Sequence, residues 1–167
     1  MSPFDKNESS LDANVILDFF LTGNTAVLER GLPRGILVSD FVEAELRRSD
    51  AALPPSCRVV PLTSEEELNF FDQLRRTYAR LGAGELGAIA VAHFHRAVFV
   101  SNDGRARSAA TEFGIEVSGS LGVLRSAVSF GAIAPARAIH IMEEMIVAGA
   151  WFSDELIEMF RVSVLKN

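Results

Sequence analysis

The sequence is poor in the residues that most often announce chemistry. It holds a single cysteine, Cys57, which excludes an intramolecular disulfide framework and paired-cysteine zinc spacing and suits a reducing compartment. Of its three histidines, His93 and His95 lie two apart on a predicted helix and point to opposing sides. That excludes an i, i+4 metal pair, and both read as structural. His140 has no partner visible in the sequence. No Gly-rich phosphate loop or nucleophile elbow is present. No apolar run approaches the roughly 18 to 20 residues that span a bilayer, so no membrane association is expected. The N-terminal stretch, M-S-P-F-D-K-N-E-S-S, lacks the charged-then-apolar layout of a secretory signal, and the expected location is cytoplasmic.

What is there is ordinary in bulk. The 167 residues, 49% apolar and 23% charged, fit one soluble domain long enough to bury a good core. The net charge of −6 argues against a non-specific nucleic-acid coating protein. It leaves open an enzyme whose acidic pocket binds its own cations. Arginines cluster at Arg30 and Arg34, at Arg47 and Arg48, at Arg75, Arg76 and Arg80, and at Arg105 and Arg107. Each cluster suits a solvated helix face.

Strands and helices alternate. Residues 1–8 read as a polar tail, followed by a single domain over 9–165 with a helical extension from about 132. A short buried strand over 9–12 leads to a helix over 14–21, and Thr22-Gly23-Asn24 separates it from a second helix reaching Arg30. A strand over 35–38 precedes a helix capped by Ser39 or Asp40 and ending near Arg48. Pro54-Pro55 marks a turn, and 58–62 an edge-like strand, because Pro61 cannot donate to a ladder. Ser64-Glu65-Glu66-Glu67 has the capping-box form and opens a helix to about Leu81. Gly82-Ala83-Gly84 breaks the chain before an Ala-rich helix over 85–95. Then follow a strand over 97–101, a helix over 103–113, a strand over 114–117 and a helix over 121–130 stopped by Gly131. Two amphipathic helices split at Gly149 complete the chain. The apolar stretches 121–130 and 138–151 suit core packing or dimerisation, and a homodimer is the expected assembly. The alternation predicts an α/β fold with a mostly parallel sheet, and a site beyond the carboxyl ends of its strands.

Four acids stand where surface charge is not expected: S-L-D12-A-N-V-I-L, F-V-E-A-E45-L, G-A-G-E85-L-G-A-I-A and V-F-V-S-N-D103-G. A lone desolvated carboxylate is costly, but several converging on a divalent cation are not. The pattern points to metal-dependent chemistry on a phosphodiester. Asp12 and Asp103 each follow a predicted strand. Glu45 shares a helical face with Phe41 and Val42, whereas Glu43 shares one with Arg47 and reads as a surface pair. Glu85 also suits a first helical turn, where the macrodipole favours an acid, and N-D-G at Asp103 also suits a turn and cap. Asn14 lies two residues beyond Asp12. Asp18, one turn beyond Asn14, is within reach of the same pocket, but a solvated or capping role is the first reading.

In order and flanks, L-D12-A-N14-V-I-L, S39-x5-E45-L, G-A-G-E85-L-G-A-I-A-V-A and V-S101-N102-D103 resemble the acidic motifs of the PIN-domain ribonucleases. G-A-G-E85-x3-I-A and G114-I-E-V-S-G119-S-L-G-V-L resemble a subgroup described as nucleic-acid-binding. The resemblance covers roughly Ser9 to Phe160. It implies a three-layer α/β/α fold with a central parallel sheet of four or five strands, and Mg²⁺- or Mn²⁺-dependent cleavage of RNA, often by the toxin of a toxin–antitoxin pair. It implies Asp12, Glu45, Glu85 and Asp103 as catalytic and metal-holding acids, with Asn14, Ser101 and Asn102 in support. Arg105 and Arg107 become candidate contacts to RNA phosphates, or else surface packing. The implied partners are an RNA substrate and an antitoxin protein. A departure is Glu85, since many members carry Asp there. The competing class is a PIN-fold module that binds RNA or protein with weak or no catalysis.

Overall fold

Three buried residues, Ser9–Leu11, form β1, the middle strand of a five-stranded parallel sheet in the computed structural model, which describes residues 2–166. The other strands are β2 (Ile36–Ser39), β3 (Cys57–Val60), β4 (Val98–Val100) and β5 (Val117–Ser118), in the order β3-β2-β1-β4-β5. Ser9 sits opposite Ile36 on one side and Val98 on the other. Every residue of β1, β2 and β4 is buried. This is why β2 and β4 read as short apolar runs rather than as alternating ones. β3 is half exposed at the sheet edge, as Pro61 predicts.

The helices are α1 (Ala13–Leu21), α2 (Thr25–Gly31), α3 (Asp40–Arg48), α4 (Glu65–Thr77), α5 (Ala83–His95), α6 (Gly104–Glu112), α7 (Ser120–Ser129), α8 (Pro135–Val147) and α9 (Asp154–Leu165). Together with the sheet they form the expected three-layer α/β/α fold. α5 lies against β1, β2 and β4 and packs with α3, α4 and α6, while α7 packs with α2, α8 and α9. Small residues bring α5 in close. A Cβ on Gly87 would stand 2.8 Å from the Phe41 ring and 2.9 Å from Ser39 Oγ, so only glycine permits this approach of α5 to α3.

The chain builds the sheet outward from β1 to β2 and β3, then returns to the other side of β1 for β4 and β5. The β1/β4 boundary is therefore the topological switch point, where connections diverge and leave a crevice at the carboxyl ends.

Three expectations are corrected. α4 stops at Thr77 rather than near Leu81, and the Tyr78 hydroxyl beyond it donates to Glu112 at 2.6 Å. α5 starts at Ala83 rather than Glu85, so the supposed break is a helix start with Gly82 as its cap. The expected polar tail is anchored: Ser2 and Asp5 cap a single 3-10 turn, Pro3–Asp5, that drives Phe4 into the core at 1% exposure. Arg34 Nε donates to the Asp5 carbonyl at 2.7 Å and ties the segment to the domain. The stretch 121–130 buries Leu121, Val123, Leu124 and Ala127, so core packing accounts for most of it.

Candidate active site

Asp12 follows β1 directly at the switch point and is 2% exposed. Its Oδ1 accepts from the Ala13 amide at 2.8 Å, which caps α1, and its Oδ2 accepts from Ser101 Oγ at 3.0 Å. Burial pushes its pKa up to about 7, and the nearby charges of Glu85 and Glu45 push the same way. Only the Ser101 hydroxyl and the Ala13 amide act against this. Two hydrogen bonds leave much of a buried carboxylate's acceptor capacity unused.

Glu45 and Glu85 stand on the two helices that Gly87 draws together. Glu43 pairs with Arg47 at 2.8 Å, as helical phase predicts, and Glu45 takes the inward side with Val42 and Leu46. The Glu45 carboxylate rests against Gly84, in space that a Cβ on that glycine would fill. Glu85 Oε2 accepts from the Gly82 amide at 2.8 Å, so its capping role is real. Burial raises its pKa, and Asp103 and Glu45 raise it further, against the Gly82 amide and Arg105. Asp12, Glu45, Glu85 and the exposed Asn14 line one cleft of about 420 Å³, whose single basic lining residue is Arg48.

Asp103 opens onto a second cleft of about 440 Å³, which it lines with Asn14, Asn102, Asp18 and Trp151. Its Oδ1 caps α6, accepting from the amides of Arg105 at 2.7 Å and Ala106 at 3.1 Å. Slight burial would raise its pKa, but these amides and the Arg105 guanidinium at 3.4 Å from Oδ2 outweigh it and hold the carboxyl below the usual range. Ser101 joins the two clefts. Its Oγ donates to Asp12 and accepts from the Asp103 amide at 3.1 Å.

Asn102 is built into the loop rather than offered to a ligand. Its amide nitrogen donates to Asp18 Oδ2 at 2.7 Å and Ser120 Oγ at 2.8 Å, and its oxygen accepts from the Ser120 amide at 2.9 Å. Asp18 is thereby corrected from a solvated residue to a member of this network, since it also accepts from Ser120 Oγ at 2.8 Å. Burial raises its pKa against those two bonds. Gly119 is required here, because a Cβ would stand 2.7 Å from Asn102 Oδ1. Arg107 Nη1 donates to the Ser101 carbonyl at 2.7 Å and so clamps the loop. Arg105 remains exposed beside Asp103. His93 stacks on Phe70 at 4.4 Å, in line with a structural role, and His140 has a partner after all, Glu144 at 3.3 Å.

Among the described residues, no three Asp, Glu, His or Cys side chains converge closely enough to grip a metal ion by themselves. The four acids are shared between two adjoining clefts: Asp12, Glu45 and Glu85 with the Asn14 amide line one, and Asp103 lines the next. Asp12, Glu45 and Glu85 have no salt-bridge partner among the described residues. Hard oxygen donors with uncompensated charge fit Mg²⁺ or Mn²⁺, and Mg²⁺ characteristically keeps several of its waters. Sequence reasoning missed Gly84 and Trp151. A glycine in the first turn of a helix, where it is a poor former, was the available signal for Gly84.

Comparison with known proteins agrees with this architecture. No curated protein matches the chain. A family model described as the PIN domain matches residues 11–165, nearly the whole chain. The protein belongs to the PIN-domain family, whose fold is of the nuclease type.

Proposed function

We propose that the protein is a metal-dependent endoribonuclease, an Mg²⁺- or Mn²⁺-dependent hydrolase of RNA phosphodiester bonds, and the toxin of a toxin–antitoxin pair. The observation that carries this is Asp12: a buried carboxylate at the switch point, within electrostatic reach of Glu45 and Glu85 and without a salt-bridge partner among the described residues. Membership of the PIN-domain family supports it.

Asp12, Glu45 and Glu85 would hold the ion, with water completing its shell. The chemistry such an ion supplies is the acidification of water and the neutralisation of charge on a phosphoryl group. The protein's own part is positioning and proton handling. The Ala13 amide and Ser101 hydroxyl fix the Asp12 carboxylate in one orientation. Glu85, its pKa raised by burial, is suited to accept a proton. Glu45, whose carboxylate rests in the space left by Gly84, can orient water. Asp103, held in the α6 cap, serves the adjoining cleft, and exposed Arg105 is available to a substrate phosphate. An antitoxin would silence the site by placing a basic side chain among the acids. A homodimer belongs to the same proposal, supported by Leu156, Met159, Val162 and Leu165, exposed at three-residue spacing along α9.

The test is cleavage of a mixed tRNA and rRNA pool with and without Mn²⁺, together with thermal denaturation. Wild type should cleave only with metal and gain thermal stability from it. Asp12→Asn should lose both. Absence of any Mn²⁺-dependent stabilisation at millimolar metal would overturn the enzyme. A second reading, a PIN-fold module that binds RNA or protein with weak or no catalysis, draws on the lack of a converged acid triad among the described residues. It requires RNA binding that metal neither strengthens nor converts to cleavage.

A further inference from the structure

The chain has one tryptophan, Trp151, and it is 83% exposed. Its position is built, not loose. α8 ends in a Schellman motif: the Gly149 amide donates to the Ile146 carbonyl at 3.1 Å and the Ala150 amide to the Met145 carbonyl at 2.9 Å. Gly149 takes φ +107°, a conformation that side-chain-bearing residues rarely adopt. Immediately after the tryptophan, Phe152 is buried and Ser153 caps α9. The backbone is thus fixed on both sides, and the indole is held out of the core at the rim of the cleft that Asp103 lines.

That cleft has two characters. Trp151 and Ala150, with Leu17 and Leu21 of α1, give it an apolar lining. Its far end is polar and meets the acidic cleft at Asn14, which lines both. The two acids in it are fixed in place by hydrogen bonds. Asp18 accepts from Asn102 and Ser120, and Asp103 is spent on the α6 cap and Arg105. A flat apolar face with a polar edge next to the proposed cleavage site suits an unpaired nucleobase, because aromatic side chains stack bases of single strands.

We propose that Trp151 is a stacking platform for an unpaired base of single-stranded RNA, which seats the strand across Asn14 into the acidic cleft. The inference rests on the proposed RNA-cleaving function and names the residue that would seat an unpaired base beside the acidic cleft. A folded protein partner or a second copy of the chain is the competing occupant of this face.

Because Trp151 is the only tryptophan, its fluorescence reports on this site alone. The experiment titrates metal-free protein with a short oligoadenylate, with the same strand in a duplex, and with a ribose–phosphate oligomer lacking bases. Quenching by the single strand but by neither control is expected. Trp151→Ala should weaken oligoadenylate binding, followed by anisotropy of a labelled strand, by about five- to a hundredfold, and Trp151→Phe should restore most of it. Absent quenching, equal quenching by the baseless oligomer, or unchanged affinity of Trp151→Ala each overturns the platform. A blue shift of the emission on raising protein concentration without RNA assigns the face to a second copy and also overturns it. Metal-dependent cleavage without quenching sinks the platform and leaves the nuclease standing. Quenching without cleavage by the metal-loaded protein does the reverse.

Discussion

At the scale of single residues, Asp12 sets the electrostatics of the site. Its pKa lies near 7 in the folded, metal-free protein, raised by burial and then by Glu85 and Glu45, against an ordinary value near 3.8 in the unfolded chain. Between about pH 4 and 7 the folded state keeps a proton that the unfolded state releases, so this group's contribution to stability is full below pH 4 and is lost as pH rises through 7. Urea denaturation in EDTA should show metal-free protein losing on the order of a few kcal/mol across that window. Asp12→Asn, which keeps an oxygen for the α1 cap, should flatten the loss. Gly84 yields a second prediction, in which stability and function part. Gly84→Ala places a methyl where the Glu45 carboxylate now rests. The displaced group is the end of a flexible side chain and alanine is the better helix former, so stability should hold or rise by up to about 1 kcal/mol. The Mn²⁺-induced shift in melting temperature and the cleavage rate should nevertheless both fall.

At the scale of elements, the loop from β4 to α6 is held by side chains distant in sequence. Asn102 makes three hydrogen bonds of 2.7 to 2.9 Å to Asp18 and Ser120. Asn102→Ala leaves those partners unsatisfied and should cost about 2 to 3 kcal/mol in chemical denaturation, with slower cleavage as the Asp103 cap loosens. Asn102→Asp should cost more, because it sets a second carboxylate against Asp18. What was legible in the sequence divides along this line. Periodicity and turn residues place four strands and most of the helices, but the strand expected over 114–117 lies at Val117–Ser118, and strand-end position picks out Asp12. Helical phase separates Glu45 from Glu43 without any structure. Caps are ambiguous by nature: an acid that begins a helix satisfies amides and can also face a cleft, and Glu85 and Asp103 do both. The Asp18–Asn102–Ser120 network leaves no local trace, since its members lie 18 to 102 residues apart. The clamp of Arg107 on the Ser101 carbonyl is equally silent, because a side chain reaching for a backbone oxygen leaves no pairing pattern.

At the scale of the whole molecule, the core extends further toward the N-terminus than composition suggests. Met-Ser-Pro-Phe-Asp-Lys-Asn-Glu reads as polar on average, yet Phe4 is among the largest fully buried side chains. Phe4→Ala should lower the unfolding free energy by about 3 to 5 kcal/mol, measured by urea denaturation, whereas a free tail would register nothing. Phe4 also lies against the packing of β5 and α7: a Cβ on Gly122 would meet its ring at 4.0 Å as well as Ser118 Oγ. The loss should therefore reach the side of the sheet that carries Ser101. The strand order has a consequence in time. Asp12 is completed by a hydroxyl that lies 89 residues later in the chain, because β1 must wait for β4 to fill its second edge. At about 5 to 20 residues per second, synthesis of that stretch takes roughly 4 to 18 seconds. Throughout that interval the emerging chain holds Asp12 without the neighbour that orients it. The acidic cleft is thus incomplete until more than half of the polypeptide has been made.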